Sequence, residues 1–171
     1  MSLVIAGAAF MMSAALAFPD GAPWGAANPA TEQHCASCHF GSDAVYQSPA
    51  LRIEGMPSTI SAGKSYPLTI VFDDPQMATA GFQLIVHAVN GQGGRLSSTD
   101  PNTEFLGAAI RSIATQKSGP GAYWNVEWQA PPEWQSAIRF YLAATAANDD
   151  GSPFGDTVHY RSYQLTVEPA N

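Results

Sequence analysis

The amino-acid sequence predicts a mostly β protein, an antiparallel β-sandwich preceded by a short irregular or helical N-terminal segment. After residue 50 the chain contains six or seven short runs of β-branched and aromatic residues, separated by Gly, Pro, Asn and Asp turn signals. No stretch has the long amphipathic periodicity of a helix. Charged residues are only 12% of the chain and hydrophobic residues are 46%, which favours short strands and turns over charged helices.

The first residues have the features of a signal peptide. Residues 1–18 are small and apolar, and residues 15–17 read Ala-Leu-Ala, an A-x-A-like cleavage site. The alternative is an uncleaved anchor, although a stretch of this length is barely enough to span a bilayer. We expect residues 1–17 to be cleaved off or, if retained, to be the segment through which the protein associates with a membrane. In either case we expect the mature domain to be periplasmic or otherwise exported from a bacterium.

Residues 18–50 form the segment that precedes the predicted sandwich. Residues 18–32 are rich in Pro, Gly, Ala and Asn and have no periodicity, so we expect an irregular lead-in. Residues 31–39 are predicted to form a short helical turn. Residues 40–49 are predicted to be a linker around Gly41.

The sandwich is predicted to span residues 51–168, and its first strands follow one another closely. Residues 51–54 alternate and stop at a Gly-Met-Pro turn, and residues 66–72 are β-branched and aromatic. Residues 81–89 form the next strand and end at a glycine-rich turn. Residues 105–113 are a weaker strand candidate, because their alanines also suit a helix.

Three further strands complete the predicted sandwich. Residues 123–128 place Trp124 and Trp128 on one side of a strand, where we expect them to belong to the core. Residues 137–146 and 158–167 are the last two strands. A turn region rich in Gly, Asp and Asn separates them.

Residues 35–39 read Cys-Ala-Ser-Cys-His and contain both cysteines of the chain. This is the spacing of a c-type haem attachment site, in which two thiols add to the two haem vinyl groups and the next residue binds the iron. We therefore predict one covalent haem c, bonded to Cys35 and Cys38, with His39 as the proximal iron ligand. A disulfide or thioredoxin-like redox pair is the alternative, but it would normally accompany a βαβ pattern, which is absent.

The second axial position of the iron has several candidate ligands. His159 is ranked first because it begins the last predicted strand and shares a face with Arg161 and Tyr163, which could serve a haem propionate and the haem edge. His87 and Met77 remain alternatives, as does an empty position. The ligand matters because Met raises the potential relative to His, whereas an empty site allows small gases to bind.

Aromatic residues near the motif are candidates to cover the macrocycle. Phe40 and Tyr46 follow the motif closely and are predicted to contact the haem. Burial of the haem faces would exclude water and influence the potential.

The chain resembles the bacterial choice-of-anchor V proteins, which are related to the Reeler domain. The resemblance rests on short pieces in a shared order, namely Cys35-x-x-Cys38-His39-x-Gly41 and residues 63–66, 80–84, 128–131, 140–143 and 148–156. It implies an immunoglobulin-like, Reeler-like β-sandwich. Many members of the family carry the same C-x-x-C-H motif, but the resemblance implies no function.

Together these features favour an exported monohaem c-type cytochrome that transfers single electrons, alone or as a subunit of a larger redox complex. Expected partners are redox proteins, including a membrane oxidoreductase. The net charge of −7 and the scattered basic residues argue against nucleic acid. No catalytic constellation is evident, so we do not expect an enzyme. The alternative is a haem-based gas or redox sensor, or a binding module, with an exchangeable sixth ligand.

Overall fold

The computed structural model describes residues 21–89, 91–113, 116–117, 121–133 and 137–166, so the predicted signal peptide lies outside the described residues. A 3-10 turn covers Cys35–Ser37, and no helix in the described part of the chain is long and apolar enough to cross a membrane. The strands are β1 (Phe40–Gly41), β2 (Val45–Tyr46), β3 (Leu51–Glu54), β4 (Ser65–Phe72), β5 (Thr79–Ala88), β6 (Gly91–Gln92), β7 (Arg95–Ser97), β8 (Thr103–Leu106), β9 (Ala109–Ser112), β10 (Gln116–Lys117), β11 (Ala122–Gln129), β12 (Ala137–Ala147) and β13 (Phe154–Thr166).

These strands form two packed sheets, which confirms the predicted mostly β sandwich. The larger sheet has the order β1-β13-β12-β5-β9-β8, with β2 also paired to β13 and with β6 and β10 paired to β5. The smaller sheet has the order β3-β4-β11-β7. Strands β5, β12 and β13 are antiparallel neighbours, whereas β1 and β2 join β13 in parallel.

The main core lies between the two sheets and follows the alternation of the strands. Every second residue of β11 is buried, including Trp124, Val126 and Trp128, as the sequence predicts. The Trp128 ring stacks on Tyr66 with centroids 5.5 Å apart, and its Nε1–H donates to the carbonyl of Gly93 at 2.8 Å. A buried tryptophan with a satisfied N–H is a stable core element, and both Trp124 and Trp128 lie in the main core.

The observed strands differ from the predicted ones in two places. Residues 105–113 do not form one strand but belong to the β8–β9 hairpin, which turns at Gly107 with a φ of 59°. Strand β13 begins at Phe154, earlier than the predicted residue 158, so the turn region between the last two strands is shorter than predicted. Strands β6, β7 and β10 are too short to leave a detectable pattern in the sequence.

The N-terminal segment covers the second face of the larger sheet. Ala143 and Ile85 point away from the smaller sheet and are still buried. They form a second small core with Tyr160 of β13 and Ala27 of the lead-in, against which Cys35 packs. The segment predicted as an extension before the sandwich is therefore integrated with it, and its strands β1 and β2 belong to the larger sheet.

His159 lies on the inward face of β13. It is 4% exposed and pairs in register with Ala144 of the main core. Its Nδ1 lies 2.7 Å from Ser48 Oγ, and its Nε2 lies 3.1 Å from Asp74 Oδ2, within ion-pair distance but without the alignment of a hydrogen bond. Burial lowers the pKa of His159 below its ordinary value, and the Asp74 carboxylate opposes this shift only in part.

The lowered pKa of His159 makes the stability of the fold depend on pH. The unfolded chain binds the proton below about pH 6.5, whereas folded His159 stays neutral to a lower pH. The free energy of unfolding should therefore fall as pH drops from about 6.5 towards the folded pKa, by at most about 1.4 kcal/mol per pH unit from this group. Urea unfolding between about pH 7.5 and 5 measures this slope.

Two variants isolate the contribution of His159. His159→Gln should flatten the slope, because the residue no longer titrates. His87→Gln is the matched control, since His87 is exposed, and it should retain the wild-type slope. If the free energy of unfolding depended on pH in the same way in the wild type and in His159→Gln, then His159 would not be the source of the slope.

Candidate functional site

Residues 35–39 are held on the outer face of the larger sheet by the Cys35–Ser37 turn. The backbone N–H groups of Cys38 and His39 both donate to the carbonyl of Cys35 at 3.2 Å. The backbone N–H of Cys35 in turn donates to the carbonyl of Ala26 at 3.2 Å. The turn is thereby tied to the lead-in that precedes it in the chain.

Tyr160 of β13 anchors the same turn from the sheet. Its hydroxyl accepts the backbone N–H of Ala36 at 3.0 Å and lies 3.1 Å from Nδ1 of His34. Burial raises the pKa of Tyr160 above its ordinary value, so the phenol stays neutral and can donate to His34. The Tyr160 ring also stacks on Tyr46, with centroids 5.4 Å apart.

The two cysteines are free thiols in this structure. The Sγ of Cys35 donates to the carbonyl of Ala26 at 3.4 Å, and burial raises its pKa to about 12. A nucleophilic redox cysteine needs the opposite, a lowered pKa that populates the thiolate. The environment of Cys35 therefore does not favour the thioredoxin-like alternative.

His39 forms a short contact with a buried carboxylate. Its Nδ1 lies 2.6 Å from Oδ2 of Asp156, a residue that is 2% exposed. The other oxygen of Asp156 accepts the backbone N–H of Asn148 at 3.3 Å. With Nδ1–H donating to the carboxylate, the Nε2 atom of His39 keeps a free lone pair, the usual arrangement of a metal-binding histidine.

Gly41 allows the close approach that brings His39 to Asp156. Strands β1 and β13 pair in parallel, with Gly41 opposite Asp156. A Cβ atom at Gly41 would lie 2.7 Å from the backbone N of Asp156 and 2.7 Å from backbone atoms of Gly155. Residue 41 therefore has to be glycine for the two strands to meet.

The motif residues line a cavity of about 740 Å³ on the outer face of the larger sheet. Its walls come from the lead-in, the motif, strands β5 and β12 and the loop before β13. Lining residues include Ala22, Pro23, His34, Cys35, Cys38, His39, Phe82, Gln83, Ala143, Asn148, Asp150 and Asp156. No Lys or Arg lines it among the residues that the structure describes. The structure thus brings Cys35, Cys38 and His39 to one largely apolar cavity.

The structure does not bring His159 to this cavity, which corrects its ranking as the distal ligand. His159 projects from the opposite face of the larger sheet, where Ser48 and Asp74 contact its ring nitrogens. Arg161 and Tyr163 share that inward face and cannot serve a group on the outer one. Arg161 donates to the carbonyl of Ser48 at 2.7 Å, and the Tyr163 hydroxyl accepts the N–H of Ile53 at 3.0 Å.

The two alternative distal ligands also lie away from the cavity. Met77 is buried in the main core between the sheets. His87 is exposed on the outer face of β5, with its ring edge-on to Tyr141 at 5.8 Å. Neither residue lines the cavity.

The two predicted aromatic contacts lie beside the cavity and do not line it. Phe40 is 37% exposed and packs on Phe154 with centroids 5.8 Å apart. Tyr46 is 61% exposed and stacks on Tyr160. Their packing partners are residues of β13, so they support the turn and its sheet strand.

Gln83 of β5 is a site residue that sequence reasoning missed. It is 1% exposed, and its Oε1 accepts the backbone N–H groups of Gly25 at 3.1 Å and Ala27 at 3.0 Å. Its Nε2 donates to the carbonyl of Pro23 at 2.9 Å. The one signal in the sequence is a glutamine in an otherwise apolar strand, and such a residue needs buried backbone partners.

Arg111 of β9 holds the start of the same lead-in. Its guanidinium lies over the Trp24 ring, 4.4 Å from the centroid, and donates to the carbonyl of Ala22. An ion pair with Glu104 at 2.8 Å fixes the other side of the guanidinium. Together, Gln83 and Arg111 place the lead-in as one wall of the cavity.

Comparisons with known proteins support the fold and leave the site unassigned. The chain is a Reeler-like β-sandwich: it is similar to the Reelin-N domain of F-spondin, with a TM-score of 0.53 and 20% identity, over 75% of this chain and 93% of that one. A human F-spondin reeler domain matches with a TM-score of 0.51 and 20% identity, over 75% of this chain and 95% of that one. No family model and no curated protein matches the chain.

Replacement of Gln83 should release the lead-in. Gln83→Met keeps the size of the side chain but leaves the N–H groups of Gly25 and Ala27 without their acceptor. The free energy of unfolding should fall by about 1–3 kcal/mol, the cost of unpaired buried donors. Urea unfolding measures the loss, and limited proteolysis should show faster cleavage near residues 21–34.

Gln164→Met is the control, because Gln164 is an exposed residue of β13. The free energy of unfolding of this variant should stay within about 0.5 kcal/mol of the wild-type value. Equal stability and equal protease resistance in the two variants would show that Gln83 does not hold the segment.

Proposed function

We propose that this chain is an exported monohaem c-type cytochrome, with the haem in the cavity beside residues 35–39. The observation that carries the proposal is that both thiols and the His39 imidazole line the same cavity. The Nδ1 atom of His39 is hydrogen-bonded to Asp156, which leaves Nε2 available to a metal. Cys35 and Cys38 would hold the haem through thioether bonds, and Nε2 of His39 would bind the iron. When bound, the haem would supply a one-electron iron couple.

The cavity has the size and chemistry that such a cofactor needs. Its volume of about 740 Å³ falls within the range of about 300–1,000 Å³ usual for cofactor sites. Ala22, Pro23 and Ala143 give it apolar walls. These walls would keep water from part of the macrocycle and so influence its potential.

Single-electron transfer is the activity that this arrangement supports best. Covalent attachment retains a cofactor outside the cell, and among the described residues that line the cavity the ion pair is that of His39 with Asp156, whose partners bind each other. The net charge of −7 favours a redox partner with a basic surface, including a subunit of a membrane oxidoreductase.

A second candidate function is a haem-based sensor or ligand-binding module. Among the described residues that line the cavity, His34 and His39 are the imidazoles and no methionine is present. His34 is adjacent to Cys35 in the chain, and its Nδ1 contacts the Tyr160 hydroxyl. A sixth position without a strong protein ligand would allow a small gas to bind.

Covalent haem attachment is tested by producing the exported protein in cells with haem c maturation machinery. We expect a coloured protein whose haem stays with the polypeptide after denaturation. Replacement of Cys35 and Cys38 together by serine should abolish this retention, whereas Ser37→Ala, between them, should not. A colourless wild-type protein of apoprotein mass would refute the proposal.

The axial ligands are tested by absorption spectra of the ferrous protein with and without carbon monoxide. His159→Ala should leave both spectra unchanged, because His159 faces away from the cavity, whereas His39→Ala should change them. A carbon monoxide-induced shift of the Soret band would favour the sensor or ligand-binding function. A low-spin spectrum that ignores the gas would favour electron transfer.

A further inference from the structure

We propose that Asp156 is a positioning residue that fixes the His39 imidazole and lowers the midpoint potential of the iron it binds; this inference rests on the proposed haem function. The Nδ1 of His39 and the Oδ2 of Asp156 are 2.6 Å apart, the length of a strong charge-assisted hydrogen bond. The sequence motif contains His39 but gives no indication of this partner.

The carboxylate acts strongly on the imidazole because it is buried. Asp156 is 2% exposed, so water screens its charge poorly. Among the described residues, His39 is the one side chain within ion-pair distance of Asp156. The other carboxylate oxygen, Oδ1, accepts the Asn148 backbone N–H at the longer distance of 3.3 Å, so the oxygen nearest a donor is the one that faces His39.

A carboxylate at Nδ1 changes the electronic character of the ring. Because the carboxylate oxygen partly accepts the Nδ1 proton, the imidazole gains negative charge and its Nε2 becomes a stronger electron-pair donor to a metal. Ferric iron carries one more positive charge than ferrous iron, so it gains more from a stronger donor. The ferric state is therefore favoured, and the midpoint potential is lower than with a neutral partner such as a backbone carbonyl.

The backbone keeps the two side chains in this arrangement. Asp156 belongs to β13, and the strand containing Gly41 pairs with it two residues after His39. The absence of a Cβ at Gly41 lets the backbones approach closely. Ser42 adds a side-chain bond to Thr157, with the two hydroxyl oxygens 2.7 Å apart. A ligand supported by paired strands holds its orientation better than one on a free loop.

The test is a redox titration of the intact haem protein and of Asp156→Asn, which keeps the shape of the side chain and removes its charge. The ratio of ferric to ferrous protein at a fixed potential should fall about 10- to 100-fold. At about 59 mV per tenfold for one electron, the midpoint potential should rise by about 60–120 mV.

Asp43→Asn is the matched control, because Asp43 is an exposed carboxylate four residues after His39 that loses the same charge without lining the cavity. Its midpoint potential should stay near that of the wild type. An equal rise of the midpoint potential in both variants would show that Asp156 acts only as one of several nearby charges and would contradict its specific action on His39. An unchanged midpoint potential in Asp156→Asn would refute the proposal that Asp156 lowers it. Both results require attached haem, so a wild-type protein without haem refutes the proposed function instead.

A second measurement needs no variant at Asp156 and remains available if Asp156→Asn fails to fold. In the ferrous protein labelled with 15N-histidine, the Nδ1–H proton of His39 should be visible and should exchange slowly with water. His39→Gln, which lacks this proton, assigns the signal. Rapid exchange of the Nδ1–H, or a ring protonated at Nε2 alone, would contradict the proposed contact.

Discussion

The arrangement of this protein depends on the burial of Gln83 on the outer face of the larger sheet. A glutamine in the middle of β5 cannot be buried without partners for its amide, and the lead-in supplies them through Gly25, Ala27 and Pro23. The lead-in in turn binds the Cys35 backbone through Ala26. The outer face is therefore closed by a segment that has little secondary structure of its own.

This closure gives the larger sheet two covered faces with different chemistry. On the inner face, His159 contacts Ser48 and Asp74 and is packed against Phe72, so its role is structural. On the outer face, His39 contacts Asp156 beside a cavity. Both histidines have a carboxylate partner. What distinguishes them is whether the second ring nitrogen faces packed residues or open space.

The Reeler-like sandwich explains the framework but not the cavity. The fold provides β5 and β12 as one wall, and the candidate haem chemistry comes from residues 33–41 and from Asp156 at the start of β13. A site that combines a short segment with the end of a strand can differ between proteins of one fold, because loops and termini vary more freely than the core. The proposed function therefore rests on the site and not on the similarity of fold.

The sequence by itself determined the sandwich, the alternation of β11 and the C-x-x-C-H spacing, because these are local patterns. Only the tertiary structure decided which face of β13 points inward. Residues His159 and Arg161 alternate with Val158 and Tyr160, and since both sets mix polar and apolar groups, alternation cannot orient the strand. Register with β12 turns His159 into the core and Tyr160 towards Cys35. The pairing of His39 with Asp156 likewise needs contacts between residues far apart in the chain, which no local pattern contains.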